Sequence, residues 1–169
     1  GCYLGPKFTN KEVKKTLQNL KANFEYLKDS KLIDLTARYI SEGKFVGWMS
    51  GEMEFGPRSL GARSILADPR SPNMKALINE KVKHRQWFRP FAPSILREDV
   101  GEWFEKDIDS PYMSFCIKFK EEMKAKVPAV LHEDGTARLQ TVTENDNRWY
   151  YNFIKKWKEK SGVPIVLNT

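Results

Sequence analysis

Arginine residues are concentrated in one stretch of the sequence, between Arg58 and Arg97. Six of the nine arginines in the chain lie there, and they alternate with glycine, proline and aromatic residues, not with glutamate. A solvated helix face normally pairs its bases with acids four residues away, and glycine and proline interrupt helices. Because a guanidinium binds phosphate at two points and stays charged, this arginine-rich stretch predicts a loop-rich wall of cations that faces an anion.

Gly51 and Gly56 precede the arginine-rich stretch and Gly61 lies within it, so that the backbone there can approach a ligand closely or adopt a positive φ. Five cations of this region could surround a triphosphate or an acyl phosphate: Arg58, Arg63, Lys83, Arg85 and Arg89. In the alternative interpretation, some of the arginines pair with nearby acids or stack on nearby aromatic residues, namely Glu52, Glu54, Asp68, Glu80, Trp87 and Phe88. The sequence contains no Walker pattern and no Gly-x-Gly-x-x-Gly, so a P-loop is not predicted.

Two further candidates, His132 and Arg138, flank the turn signal Asp134-Gly135. A lone histidine is more often structural than catalytic, and a site role for His132 is the less favoured interpretation on the residues alone. No group of His and Cys has metal-ligand spacing, and no Ser/His/Asp triad can be argued. The residues alone therefore indicate neither a metal site nor a catalytic triad.

Composition indicates a globular domain with an anionic partner. The chain has 169 residues, 40% of them hydrophobic, and a net charge of +7, which favours nucleic acid or a phosphorylated small molecule as partner. Most lysines fall on amphipathic helices, where solvated faces explain them. The two cysteines predict no disulfide framework, which favours a cytoplasmic location, and Cys116 is expected to be an inert core thiol. No apolar run approaches the length of about 18 residues that a membrane span requires.

The apolar pattern predicts a mixed α/β or α+β domain, in which helices and strands are interspersed. A capping box at Thr9–Glu12 opens an amphipathic helix over 10–28, with an inward stripe of Val13, Leu17, Leu20, Phe24 and Leu27. Further helices are predicted over 30–42, from a Ser71 cap with Pro72 in first position to about 82, over 97–105 and over 147–160. Strands are predicted over 44–50, 64–67, 91–96, 113–119 and 163–167, and as a hairpin of 127–132 with 136–142.

Four long motifs, in order, resemble the C-terminal domain of the NodU/CmcH carbamoyltransferase family. They are Gly-Glu-Met-Glu-Phe-Gly-Pro-Arg-Ser-Leu-Gly-Ala-Arg-Ser-Ile-Leu-Ala-Asp-Pro-Arg at 51–70, Phe-Arg-Pro-Phe-Ala-Pro-Ser at 88–94, Pro-Ala-Val-Leu-His-Glu-Asp-Gly-Thr-Ala-Arg-Leu-Gln-Thr-Val at 128–142 and Gly-Val-Pro-Ile-Val-Leu-Asn-Thr at 162–169. The resemblance covers nearly the whole chain and is weakest over 7–30 and 105–127.

The resemblance implies a YrdC-like fold, which is a twisted mixed sheet with flanking helices, over a single domain of residues 1–169. It also implies that this domain is a fragment of a two-domain enzyme whose N-terminal domain, of the ASKHA type, carries the metal and the transfer site. The implied reaction forms carbamoyladenylate from carbamoyl phosphate and ATP, with Mg²⁺ accompanying ATP. The N-terminal domain then passes the carbamoyl group to a hydroxyl of the acceptor.

Particular residues fall at the family's site positions. Lys83 and Arg85 look like a Lys-x-Arg motif that acts on phosphates, and with His132 they are the catalytic candidates. The candidates for substrate and nucleotide binding are Arg58, Arg63, Arg89, Arg138 and Asn168. Asn168-Thr169 looks like the start of Asn-Thr-Ser-Phe-Asn, which implies a chain truncated at its C-terminus. The sequence departs from the family at Ala62, where an Asn is usual, and at Ser59, where an Ala is common.

Two other functions remain open at this point. A basic YrdC-like module could bind nucleic acid without catalysis, although the bases lie in Gly/Pro motifs and not along one helix. The domain could also be a scaffold that has lost activity and is kept for contact with its own N-terminal domain.

Overall fold

Six strands form one mixed sheet, and six α-helices accompany it. The computed structural model describes residues 1–169. The strands are β1 (Val46–Met49), β2 (Arg63–Ala67), β3 (Ala92–Leu96), β4 (Phe115–Lys118), β5 (Thr136–Val142) and β6 (Ile165–Asn168). The helices are α1 (Asn10–Asn19), α2 (Asp29–Ser41), α3 (Met74–Lys81), α4 (Val100–Trp103), α5 (Glu121–Lys124) and α6 (Arg148–Ser161), with 3₁₀ turns at Arg97–Asp99 and Pro128–Val130.

The strand order is β1-β2-β6-β3-β5-β4. Only β3 and β5 pair in parallel, and the other four pairings are antiparallel. β6, the last strand in the chain, lies between β2 and β3. The predicted α+β class with a mixed sheet is therefore confirmed.

Helices α2 and α6 cover one face of the sheet. Helix α6 was predicted from its apolar spacing, and Tyr150, Phe153 and Trp157 are all fully buried against this face. Asn147 caps its start, because its Oδ1 accepts from the Tyr150 N–H at 3.0 Å. Gly162 ends it with a φ of 74°. The opposite face packs against a larger cluster that includes residues from α3 and α4.

Two helix predictions were wrong in extent. The capping box at Thr9 is present, but α1 ends at Asn19 and none of its residues is buried. Leu20 is 72% exposed, and the backbone reverses at Lys21 with a φ of 50°. The predicted stripe therefore packs against no core in this chain. The Ser71 cap with Pro72 in first position was also wrong, since α3 begins only at Met74.

The predicted hairpin was wrong in one strand and right in its turn. Residues 127–132 contain a buried 3₁₀ turn at Pro128–Val130 and no strand. β5 pairs with β4 and β3 instead. The turn itself is tight, since the Gly135 N–H donates to the His132 carbonyl at 3.0 Å and Gly135 has a φ of 78°.

Cys116 is exposed, which corrects the prediction of a core thiol. It lies on the edge strand β4, whose neighbouring residue Ile117 points into the core. Alternation along the strand therefore turns the thiol to the opposite side. No helix of the chain combines the length and the apolar character needed to cross a membrane.

Candidate functional site

The predicted site residues gather at one end of the central strands. Strand register pairs Ala92 with Asn168 and Ser94 with Gln140, so β3 and β5 start, and β6 ends, at this end of the sheet. The segment that precedes β3 carries Lys83, Arg85 and Arg89, and the turn that precedes β5 carries His132. Topology thus brings together motifs that are far apart in the sequence.

A buried polar network joins these strands to the arginine-rich stretch. Asn168 is 1% exposed, and its Nδ2 donates to Gln140 Oε1 at 2.9 Å and to the Ser59 carbonyl at 2.9 Å. Gln140 Nε2 donates to the Leu60 carbonyl at 2.8 Å, and Ser94 Oγ donates to Gln140 Oε1 at 2.6 Å. This network fixes the backbone next to Arg58. Asn168 Oδ1 is buried without a partner, and its role in nucleotide binding stays a prediction.

Glu54 binds the backbone of the segment that follows Arg58. Its Oε1 accepts from the backbone N–H groups of Leu60, Ala62 and Arg63 at 2.7, 2.8 and 3.0 Å. Burial raises the pKa of the Glu54 carboxyl, but these hydrogen bonds outweigh burial and leave the pKa below the ordinary value. The sequence suggested an arginine partner for this acid. The structure instead makes it the anchor of the loop backbone.

Arg63 is bound by the protein itself. Its Nη1 donates to the Ser50 and Ala62 carbonyls at 3.1 and 2.9 Å, and its Nη2 donates to the Pro6 carbonyl at 3.3 Å. Both terminal nitrogens also reach the Gly51 carbonyl. The guanidinium therefore connects the N-terminal segment to the loop after β1. Its predicted contact with phosphate stays a prediction.

Replacing Arg63 by methionine is expected to lower the free energy of unfolding by about 1–2 kcal/mol, because several carbonyls lose a charged donor. Arg58→Met is the matched control, because Arg58 is exposed and its replacement removes the same charge. That control should stay within about 0.5 kcal/mol of the parent protein. Urea denaturation measures both, and equal changes in the two variants would contradict a structural role for Arg63.

Arg85 is held in place through its Nε and its ring contact, while its two terminal nitrogens stay free. Its Nε donates to Asn79 Oδ1 at 2.7 Å, and its guanidinium carbon lies 5.0 Å from the centre of the Phe91 ring. Its terminal nitrogens have no hydrogen bond within the protein. Asn79 was not among the predicted site residues, and no local sequence signal distinguishes it from any other polar residue on a helix.

Carboxylates separate the arginines of this chain into two groups. Four arginines form ion pairs within the protein: Arg38 with Glu42, Arg70 with Asp68, Arg97 with Asp107 and Asp109, and Arg148 with Glu144. The other five arginines have no carboxylate within ion-pair distance, but Arg63 is bound by backbone carbonyls. The remaining four and Lys83, which also has no carboxylate partner, form a group that we call the cation cluster: Arg58, Lys83, Arg85, Arg89 and Arg138. Of the four acids proposed as arginine partners, only Asp68 has one.

Members of the cation cluster lie close enough to repel one another. Burial, and then the positive charge of Arg58, lower the pKa of the Arg138 guanidinium, and Arg85 adds to the effect. Burial and then Arg89 lower the pKa of Arg85. Burial and then Arg85 lower the pKa of Lys83. Arg138 also keeps a buried Nε without a hydrogen-bond partner. Such a group of unpaired cations is suited to binding an anion with several charges.

His132 borders the cation cluster. Its Nδ1 lies 3.1 Å from Thr136 Oγ1, which fixes the ring above the turn. Burial lowers the pKa of the imidazole, and Arg138 lowers it further, although Asp134 opposes this. The neutral ring is therefore the main form at neutral pH, and it can accept a proton.

Lys83 also faces an open cleft of about 330 Å³. Ser59, Arg63 and Thr169 contribute to its lining. The cleft reaches Thr169, the residue that follows β6. Lys83 belongs to both the cation cluster and the lining of this cleft, and the two together are the candidate site.

Comparison with known proteins gives one consistent result. Residues 37–169 match the family described as carbamoyltransferase C-terminus. Nodulation protein NolNO of Sinorhizobium fredii is 48% identical over 136 residues, which are 79% of this chain and 20% of that protein. Nodulation protein NolO of Bradyrhizobium diazoefficiens is 39% identical over 171 residues, and an uncharacterised protein of Methanocaldococcus jannaschii is 43% identical over 171 residues. The chain spans 31% and 28% of the length of these two relatives.

Proposed function

Because this chain belongs to the carbamoyltransferase C-terminal family, we propose that it is the YrdC-like part of an O-carbamoyltransferase that binds ATP and carbamoyl phosphate. In this proposal the chain forms carbamoyladenylate. A further domain of the ASKHA type, N-terminal to it in a longer protein, passes the carbamoyl group to a hydroxyl acceptor. The relatives are three to five times longer than the part they share with this chain, which leaves room for such a domain.

The cation cluster is the observation that carries the proposal. Arg58, Arg85, Arg89 and Arg138 have no carboxylate partner, whereas every other arginine except Arg63 has one. The Nε of Arg138 is a buried donor without an acceptor, and a phosphate oxygen would supply one. Two phosphorylated substrates together carry enough negative charge to match this cluster.

The proposed reaction needs no protein nucleophile. Water releases inorganic phosphate from carbamoyl phosphate and leaves carbamate, and His132 can accept the proton of that water. A carbamate oxygen then attacks the α-phosphorus of ATP, and pyrophosphate departs. Lys83 and Arg85 would stabilise the charge on the departing phosphates. Finally, the acceptor hydroxyl attacks the carbamoyl carbon, loses its proton and displaces AMP.

Magnesium would accompany ATP in this proposal. The chain has no group of three or more His, Cys, Asp or Glu residues that could hold a metal ion. Protein ligands for Mg²⁺ are therefore not assigned, and phosphate oxygens of ATP are its natural ligands. The steps assigned to Lys83, Arg85 and His132 do not pass through the metal.

Arg138→Met is expected to weaken ATP and carbamoyl phosphate binding about tenfold or more, because a charge-assisted contact with phosphate is lost. Titration calorimetry on the chain measures both affinities. Arg38→Met is the matched control, since it removes the same charge from an arginine on α2 that pairs with Glu42. We expect its affinities to equal those of the parent chain.

Two results would contradict the proposal. One is an equal loss of affinity in Arg38→Met, because binding would then depend only on net charge. The other is the absence of any binding of ATP or carbamoyl phosphate to the parent chain.

Nucleic-acid binding is a second candidate, because exposed aromatic residues lie between the cations. Trp87 is 67% exposed and Phe88 is 55% exposed, and their rings form an edge-to-face pair with centroids 5.9 Å apart. Exposed rings beside arginines are a common stacking platform for bases. Single-stranded RNA that binds more tightly than ATP, with a strong loss of affinity in salt, would favour this function.

A further inference from the structure

Asn79 is a fully buried amide on α3, directly beneath the loop of residues 82–90. Its Oδ1 accepts from Arg85 Nε at 2.7 Å. Its Nδ2 donates to the carbonyls of Trp87 and Arg89 at 3.0 and 2.9 Å. Its backbone carbonyl also accepts from the Arg85 N–H at 3.0 Å. One residue therefore binds three points of the same loop.

The loop has few other ties to the protein. It leaves α3 at Val82 and reverses at His84, which has a φ of 48°. The Trp87 and Phe88 side chains are mostly exposed and do not anchor the loop in the core. The polar contacts of Asn79 therefore decide where the loop backbone lies, since exposed loops without such contacts are mobile.

The contact with Asn79 also fixes the Arg85 guanidinium. Its Nε is bound by the amide, and one face of the group lies over the Phe91 ring at 5.0 Å. These two contacts hold the plane of the group without using its two terminal nitrogens. These nitrogens have no partner in the protein, and paired terminal nitrogens are the edge that binds phosphate at two points.

We propose that Asn79 is a positioning residue that presents Arg85 and Arg89 to a bound phosphate. It sets the plane of the Arg85 guanidinium directly, and it sets Arg89 through the carbonyl of that residue. This inference rests on the proposed function of the cation cluster. It adds a residue that contacts no substrate and acts only through the two arginines.

The chemistry of the side chain makes the inference specific. The loop needs one acceptor for Arg85 and two donors for the carbonyls of Trp87 and Arg89. An amide supplies both kinds of group, whereas a carboxylate supplies only acceptors. Asn79→Asp keeps the contact with Arg85, but it places a negative charge beside the cation and removes both donors. Asn79→Ala removes all three side-chain contacts.

The test compares the parent chain with these two variants, by using ATP as probe in calorimetry and the Arg85 Nε–H signal in ¹⁵N NMR spectra. In the parent chain the Nε–H proton should exchange slowly, because a buried amide accepts it. Asn79→Ala should lose this signal through fast exchange and bind ATP about tenfold more weakly. Asn79→Asp should keep the signal and still lose ATP affinity. The new carboxylate pairs with the charge of Arg85, and the carbonyl of Arg89 loses its donor.

The two readouts separate this inference from the proposed function. A parent chain that binds no ATP contradicts the proposed function, and the exchange of the Arg85 proton then still decides whether Asn79 holds Arg85. Parent-like ATP affinity in a folded Asn79→Ala variant overturns the inference. If Asn79→Ala does not fold, Asn79→Asp decides, and parent-like affinity in that variant has the same meaning.

Discussion

Replacement of Gly61 by alanine is expected to destabilise the protein by about 3 kcal/mol or more, through steric overlap and backbone strain together. A Cβ atom at this position would lie 2.1–2.6 Å from three ring atoms of Tyr150. That ring is fully buried between the sheet and α6, so it cannot move aside. Gly61 also has a φ of 101°, which favours glycine. Urea or thermal denaturation measures the loss.

Gly56→Ala separates the two causes. Gly56 lies in the same segment and has a φ of 121°, but a Cβ there would meet nothing within 4 Å. This variant should lose only the backbone contribution, about 1–2 kcal/mol. An equal loss in the two variants would show that contact with Tyr150 contributes nothing. We would then reject the close approach of the arginine-rich stretch to α6.

Replacement of Glu54 by alanine is expected to lower the free energy of unfolding by about 3 kcal/mol, because three backbone donors lose their acceptor. The donors belong to Leu60, Ala62 and Arg63, and the carboxylate is 7% exposed. Denaturant unfolding gives the loss. Glu52→Ala is the control, since Glu52 lies two residues away and makes only an exposed ion pair with Lys7. A similar loss in that control would contradict the anchoring role of Glu54.

The same carboxylate makes stability depend on pH. Its pKa is lower in the folded protein than in the unfolded chain, where it is about 4.3. Its stabilising contribution is therefore complete above the unfolded pKa, and it is lost as the pH falls through the lower folded pKa. Glu54→Gln cannot titrate, and it should lose less stability than the parent protein between neutral pH and acid. Parallel pH profiles for the two proteins would contradict this.

The elements that the sequence predicted best have both a repeating apolar pattern and a terminating residue. Helix α6 combines its apolar spacing with Asn147 and Gly162, and the observed helix agrees. Helix α1 has a start signal but no core to contact, so its predicted length was wrong. The run 127–132 is apolar enough for a strand, yet it is buried as a turn. Short apolar runs do not distinguish these outcomes, because either one buries the same side chains.

The site could be predicted by region and only in part by residue. The arginine-rich stretch indicated an anion site, but sequence alone could not distinguish Arg63 from Arg58. The distinction depends on the Pro6 and Gly51 carbonyls, which reach Arg63 only in the folded chain. Asn79 escaped prediction for the same reason, since its contacts exist only after the chain reverses at His84. Local pattern identifies charged residues, whereas tertiary contacts decide which of them are free.

The place of β6 in the sheet has a consequence for the order of folding. β1 and β2 can pair early as near neighbours in the sequence, and β4 pairs early with β5. β6 alone connects these two halves of the sheet, since Leu66 and Ala92 both pair with Asn168. The pairing of Leu66 with Asn168 closes a long loop of chain. Such closure is slow, because its entropic cost precedes the contacts that stabilise it. Formation of the cation cluster is therefore a late, cooperative event, and unfolding of β6 alone would disassemble the site while both half-sheets persist.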